Sequence, residues 1–568
     1  MTVASIIALT VLLLAVTVLA LVLRPGRAST LEFYLAGRRV GVATNACAIC
    51  GDYFSAASFL GVAAAVYVSG LDGIWYATGF AAGFVPVLLF VAAPLRRFGE
   101  FSIPDFLGRR LGSGRIRLIA VCVVQLIILS YLVPQAVGSG ITWELLVGEG
   151  VLGLTPYATG VVLSTVAITA LVVLGGMRGT TWTQAVQFLL LLAAFIWLTV
   201  VVLGSGFSYP DAVAELDSEP LANPAFAGGE WGLATESNRL DTAEPATFGE
   251  PGGRYGPFGQ LTLMVTLVMG TAGLPHIMNR YFTSPTGTAA RMTTVWVLGF
   301  AGLFYTLAVL LGTASRSLIA KSVESHPWLA ELTVDGVLRV PEHAPLVLGR
   351  IFGGEAGLGF IAIGALIAVM STIAGLLLAS AASWGHDVYE RHINPSASQR
   401  QAVWAGRGAV IVVAVFSAAL ALGLRPDSLT ALFPSIVATM VTWAFALAGS
   451  ALAPVFMLAI WWRGTTSRGA GAGMITGAVT AIGMFTSATL TGDNGVGEVL
   501  LAPTIVAAPL ATLVTVVVSL CTPTPKDVDR MWLRLHGTAA DRRAARLARL
   551  TIAGVGGVKG VKEDRSER

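Results

Sequence analysis

Long apolar runs separated by short polar stretches mark the chain almost from end to end. They lie near 4–23, 41–68, 74–93, 118–147, 156–174, 183–204, 259–282, 292–314, 357–385, 408–424, 434–462, 469–490 and 500–521. A helix needs about 20 apolar residues to cross a hydrocarbon core ~30 Å thick. The pattern therefore predicts an all-α polytopic membrane protein with about 13 transmembrane helices. The first run has no basic residue before it, and Arg24 and Arg27 follow it in place of a small-residue cleavage site. That predicts a retained helix starting outside.

Two runs are interrupted. The middle of 41–68 reads Gly51, Asp52, Tyr53, Phe54, Ser55. A carboxylate at mid-bilayer costs at least ~3 kcal/mol and usually marks a site or an ion path. A neighbouring glycine lets the helix open, and opened backbone is tolerated at that depth only where it is buried or lines a cavity. A helix broken around 51–55, with the break serving as a binding site, is expected. The run 259–282 carries Gly270, Gly273 and Pro275; the proline removes a backbone donor, so a kink or an unwound stretch is expected there. A lone proline kink is ordinary in membrane helices. These breaks, however, fall in the second and seventh runs, and an offset of five inverts membrane orientation. Paired breaks in oppositely oriented halves point to a secondary transporter with its site near the midplane.

A third element is Ala368-Val369-Met370-Ser371-Thr372 in the run 357–385. Adjacent hydroxyls in a membrane helix either bond back to the carbonyl one turn earlier or face a ligand. In the second case the Ser371 and Thr372 hydroxyls and the Ala368 carbonyl supply one side of a site. The freed carbonyls of Gly51 and Phe54 supply the other. Five neutral oxygens suit a weakly held, hard monovalent cation, and no carboxylate cage of the calcium type is visible.

Composition narrows the class. The 568 residues are 55% hydrophobic and 12% charged, with mean hydropathy +0.76, which excludes a soluble domain of this size. Its 65 glycines fit helices packed closely through small residues. Cys47 and Cys50 have no second pair or histidine nearby and read as packing residues. Roughly 18 basic residues fall in the expected inner loops, Arg280 among them, against about 7 outside. This places the C-terminus in the cytoplasm. The acidic, Gly- and Pro-rich loop 205–258 suits the outer face. In the tail 526–568 the stretch 540–550, ADRRAARLARL, reads as a basic amphipathic helix at the inner membrane surface or as a solvated segment. No nucleotide-binding G-x-x-x-x-G-K-[ST] motif occurs, so ATP-driven pumping has no visible engine. His276, beside Pro275, is the only histidine deep in a run and reads as a gate or packing residue; a membrane enzyme is not expected.

The stretches GDYFSAASFLG (51–61), VSGLDGIWYATGF (68–80), GGMRGTTWTQ (175–184) and AVMST (368–372) together resemble the solute:sodium symporter family, most closely its cation–acetate branch. The resemblance runs from about residue 30 to 525. It implies a LeuT-type fold: a peripheral N-terminal helix and inner loop (1–40), two inverted five-helix repeats (41–204 and 259–462) joined by the loop 205–258, two trailing helices (463–525) and a tail (526–568). It also implies a coupling sodium on Gly51, Phe54, Ala368, Ser371 and Thr372, the set already reached from the residues. Some relatives carry an aspartate where this chain has Tyr53, and a carboxylate where it has Gln184.

For a small carboxylate substrate, the helix restart near Ser55 offers a favourable dipole end. Ser55, Ser58 and Thr271 offer hydroxyls, Gln135 a buried amide, and Tyr53, Phe54, Phe59 and Trp75 apolar walls. Asp52 is a candidate for the ion pathway. The expected activity is sodium-driven uptake of acetate or a similar short-chain monocarboxylate by alternating access, in a bacterial-type plasma membrane. The single chain is the expected working unit, with lipid around it, no nucleic-acid partner and no cofactor beyond sodium. Proton coupling, sodium symport of another small solute such as an amino acid, and a transporter-derived sensor are the alternatives.

Overall fold

A computed structural model describes residues 29–219, 247–252, 256–334, 336–424, 436–491, 502–537 and 540–541. The first apolar run, 4–23, and nearly all of the 540–550 stretch lie outside them. Every later run corresponds to helix, and apart from one two-stranded hairpin (Thr333–Val334 with Val337–Leu338) the described architecture is helical.

The elements that position the site are α1 (Val42–Tyr53), α2 (Val62–Ser69), α3 (Ile103–Arg110), α4 (Gly114–Val147), α5 (Pro156–Gly204), α6 (Pro257–Gly273), α7 (Pro275–Phe282), α8 (Gly287–Ser322), α9 (Ala344–Ala382), α10 (Gln399–Gly423) and α11 (Ile436–Leu447). A straight helix the length of α5 would run far beyond a bilayer's thickness. Gly176 resolves this: with φ 54° and ψ −157° it breaks α5 into the two expected spans, and Phe33 packs where a side chain at Gly176 would lie. Gly354 (φ 59°, ψ −149°) breaks α9 in the same way, so its spanning part begins after residue 354.

α9 is the central strut. Every residue from Gly364 to Ala382 is buried, and the helix packs on α1, α4, α5, α8 and α10. By contrast α5 shows Val186, Leu189, Leu190 and Val200 on its surface, an apolar stripe at helical spacing that suits contact with lipid chains. α1 packs between α5, α8 and α9, and α6 lies against the helix Ile74–Ala82 and α11. Both expected interruptions are present. α1 ends at Tyr53 and helix resumes at Ala56; α6 and α7 meet at Leu274 with a bend of 40°.

Two of the arginines counted among the inner-loop basic residues, Arg110 and Arg280, are buried. Arg110 is fully buried and donates to the carbonyls of Ala459 and Trp462 at 3.0 and 3.4 Å. Arg280 is fully buried within α7. Hydropathy registers a charge but not the partner that lets it leave water. The start of the tail forms a helix, Val528–His536, docked on the bundle through His536 Nε2 and the Ile460 carbonyl at 2.8 Å.

Candidate functional site

The first break redistributes backbone hydrogen bonds. In a continuous helix the N–H groups of Ser55 and Ala56 would close on the carbonyls of Gly51 and Asp52. Here Ser55 donates to the Tyr53 carbonyl at 2.9 Å and Ala56 to Gln135 Oε1 at 3.0 Å. The released carbonyls are met from α9: Ser371 Oγ donates to the Gly51 carbonyl at 2.5 Å, and Thr372 Oγ1 to the Asp52 carbonyl at 2.8 Å. The Ala368 carbonyl lies 3.0 and 3.2 Å from the same two hydroxyls. The pair therefore bonds back along its own helix and across to the broken one, each hydroxyl sharing one proton between two carbonyls.

Gly51, Ala368, Ser371 and Thr372 are thus joined by hydrogen bonds, and Phe54 is not among the groups the two hydroxyls bond. Its ring stacks on Phe304 with centroids 4.3 Å apart, and the Asp52 carbonyl takes the Thr372 hydrogen bond. The opening lies within the expected stretch 51–55, at its C-terminal side. Residues 51–53 stay helical and the chain breaks at Phe54–Ser55. Gly51 does not open the helix. A β-carbon there would overlap the Gln184 carbonyl oxygen, so the glycine lets α1 and α5 approach.

Beneath the cluster lies a buried charge network. Arg280 Nε is 3.2 Å from Asp52 Oδ2, both groups being removed from solvent. The rest of the guanidinium donates to Thr181 Oγ1 at 2.7 Å, to Met177 Sδ and to Gln184 Oε1. Gln184 Nε2 in turn donates to the Ser371 carbonyl at 2.6 Å. A charge buried without partners would be prohibitive, whereas a pair with satisfied hydrogen bonds is sustainable. Asp52 Oδ1 remains buried without a hydrogen-bond partner. A cavity of about 260 Å³, lined by Glu32, Arg39, Arg178 and Trp182 among others, reaches Thr181, which places its floor one side chain from Arg280.

The five expected substrate residues surround the break, all buried. Tyr53 OH pairs with Thr271 Oγ1 at 2.7 Å and donates to the Phe80 carbonyl at 2.9 Å, linking the two interruptions. Ser55 Oγ accepts from Tyr131 OH at 3.3 Å, and Ser58 Oγ pairs with Tyr305 OH at 2.8 Å. Gln135 caps the restarted helix through Ala56, which takes up a backbone donor expected to face an anion; its Nε2 has no partner. Tyr131, Tyr305 and His276 were not foreseen as neighbours of the break. His276 stands edge-on to Tyr131 at 5.5 Å, with both ring nitrogens unpartnered. Tyr131 sits one turn before Gln135, so helical spacing was a usable signal for it. For Tyr305 there was none.

Of the aromatic residues expected to wall a pocket, Phe59 stacks on Phe195 at 4.2 Å and joins the ring cluster around Phe304, while Trp75 is only partly buried. Chemically, the site offers neutral oxygens from two helices, a fixed internal ion pair one residue away, and a hydroxyl-rich break roofed by rings.

A profile of the sodium:solute symporter family matches residues 33–477. Among solved structures, a Na+-coupled sialic acid symporter in a substrate-bound, outward-open state is similar at TM-score 0.67 and 16% identity, over 92% of this chain and 98% of that one. Mhp1, a nucleobase-cation-symport-1 family transporter in a closed conformation with bromovinylhydantoin bound, is similar at TM-score 0.52 and 15% identity, over 90% of this chain and 100% of that one. The shared architecture is the LeuT-type fold.

Proposed function

The chain belongs to the sodium:solute symporter family, and from that premise we propose that it couples inward sodium flux to uptake of acetate or a similar short-chain monocarboxylate by alternating access. Sodium-coupled symport is what the family does. The choice of substrate rests on the hydroxyls and the amide gathered at the break and on the motif resemblance described above.

The observation that carries the reading is the meeting of α1 and α9 through the Gly51 and Asp52 carbonyls and the Ser371 and Thr372 hydroxyls. These oxygens are neutral and buried, and they stand close enough to hydrogen-bond one another. A sodium ion held by them requires α1 and α9 to part slightly and the hydroxyl protons to turn outward. The ion then replaces the hydrogen bonds as the link between a broken helix and the central strut. Coordination at one conformation of the break gives the ion the differential affinity that any ligand-driven shift needs. Ser55, Ser58, Gln135 Nε2 and the Tyr53–Thr271 pair receive the acid. One cation crossing ~100 mV supplies about 2.3 kcal/mol for accumulation.

Radiolabelled acetate uptake into proteoliposomes under an imposed sodium or proton gradient tests this, with propionate, pyruvate and proline as competitors. Sodium-driven uptake competed by propionate is expected. Competition by proline alone transfers the reading to an amino acid. A proton-driven variant has one observation in its favour, the unpartnered Asp52 Oδ1 beside the cation oxygens. It requires that Asp52→Asn abolish pH-dependent uptake while sodium makes no difference.

We place α3 and the ends of α4 and α9 that meet it at the cytoplasmic face of a plasma membrane, with the N-terminus outside. Cysteine labelling from either side of intact cells tests the orientation.

A further inference from the structure

At the arginine-rich end of the bundle, α3 and the start of α4 meet the π-helical continuation of α9, Ser383–Ile393. Residues 285 positions apart in sequence touch there: Ser102 Oγ donates to Asp387 Oδ2 at 2.6 Å. Asp105, His386 and Asp387 each present one ligand atom, and these atoms lie within 4.8 Å of one another, all on buried residues. The wide π turn sets consecutive side chains closer together around the helix than an α turn does, so His386 and Asp387 both face α3. His386 is thus a second buried histidine, missed because it lies just past the apolar run 357–385.

The hydrogen bonds leave two unpartnered atoms, His386 Nε2 and Asp387 Oδ1, beside Asp105, whose Oδ2 accepts from the Phe101 N–H at 3.4 Å. His386 Nδ1 is 2.9 Å from Glu390 Oε2, which assigns the ring proton to that side. Its Nε2 faces Asp105 Oδ2 at 3.4 Å, an ion pair when the ring is protonated and an open lone pair when it is neutral. Asp387 Oδ2 is held by Ser102, and Oδ1 is buried without a hydrogen bond. Asp105 Oδ1 takes Arg117 Nη2 at 3.0 Å, and the Arg117 Nε stands 4.0 Å from Asp387 Oδ1. The Phe101 ring stacks on the imidazole at 4.4 Å and shields it.

With a neutral imidazole, the buried Asp105 and Asp387 share one close guanidinium, Arg117, while Glu100 nearby is matched by Arg109 at 2.9 Å and Arg534 at 3.7 Å. Buried negative charge of this kind calls for a compensating cation. One imidazole nitrogen with two carboxylate oxygens is a borderline-hard donor set that suits zinc or manganese better than magnesium. A carboxylate on the far ring nitrogen is the usual outer support of a metal-bound histidine.

We propose that Asp105, His386 and Asp387 bind one divalent cation of the zinc or manganese class, tying α3 to the end of α9. The site is separate from the transport centre and does not depend on the transported solute. The full-length protein, purified in detergent and stripped with a chelator, is titrated with zinc, manganese and magnesium by calorimetry. Metal content is counted after desalting. One zinc or manganese per chain is expected, with magnesium at least tenfold weaker, and cobalt(II) is expected to give visible d–d bands. His386→Ala and Asp387→Asn should each weaken binding at least tenfold and abolish those bands. Glu390→Gln should weaken it about 10–100-fold at unchanged stoichiometry. Gel filtration confirms that each variant is folded; Asp387→Asn can still accept the Ser102 hydrogen bond. A folded wild type that retains no zinc or manganese overturns the proposal, as does equal binding by His386→Ala. Either result makes the imidazole a protonated member of an ion network.

Discussion

The two interruptions of the bundle are made by opposite means. Between α6 and α7 the break is covalent and steric: Pro275 has no N–H to give the Thr271 carbonyl, and β-carbons at Gly270 or Gly273 would overlap Phe445 or the Ala448 carbonyl. Between α1 and α2 no proline intervenes, and no residue from Val42 to Ser69 has positive φ. That break exists because Gln135, Ser371 and Thr372 take the hydrogen bonds a continuous helix would make. A proline break stays broken whatever is bound. A break held by exchangeable hydrogen bonds can respond to an ion that competes for the same oxygens, so we assign the responsive half of the cycle to the first.

The sharpest way to break this comparison is at the ion pair under the first interruption. Asp52→Leu or Arg280→Met alone leaves a buried charge unpaired and should cost about 3–5 kcal/mol of stability. Loss of folded yield and a lowered melting temperature would report it, and the double variant should recover most of the loss. If the single variants melt like the wild type, the first break does not rest on that pair.

Next in size is Ser371→Ala with Thr372→Ala. On the proposed sodium site this removes two hydroxyl ligands, at about 1.5–3 kcal/mol each, and should raise the half-saturating sodium concentration at least about a hundredfold in uptake assays. Unchanged sodium dependence would remove the cation from these oxygens.

A smaller effect is expected at the second break. Gly273→Ala forces its β-carbon against backbone and should cost about 1–3 kcal/mol of stability, seen as a lowered melting temperature with sodium affinity unchanged. A shift in sodium affinity would show that the steric break also responds to the ion. Smallest of all, Pro275→Ala should leave the half-saturating sodium concentration within about threefold, since the glycines and Leu274 still hold the bend. A shift as large as that of the hydroxyl variant would erase the distinction between the two breaks.

Much of this was legible because it is local. An apolar run, a proline and a mid-span glycine act within a few residues of themselves, so the positions of the helices and of both interruptions could be read along the chain. Ser371 and Thr372 could be matched to Gly51 because hydroxyls at that depth have few alternatives to a carbonyl or a ligand. The same local reasoning misjudged Gly51 itself. Its role is to admit the Gln184 backbone from another helix, and nothing near it in sequence records that neighbour.

By itself, then, the sequence determined an all-helical membrane bundle, its two breaks and the hydroxyl pair opposite the first, since hydropathy and backbone chemistry dictate these residue by residue. Only the tertiary structure decided that Asp52 pairs with Arg280, that Gln135 caps the restarted helix, that the Asp52 carbonyl takes the Thr372 hydroxyl, and that His386 joins two aspartates at the arginine-rich end. Each of these joins helices far apart in sequence. A buried charge or amide is stable only with its partner in place, and that partner is chosen by how the helices pack, which no local pattern encodes.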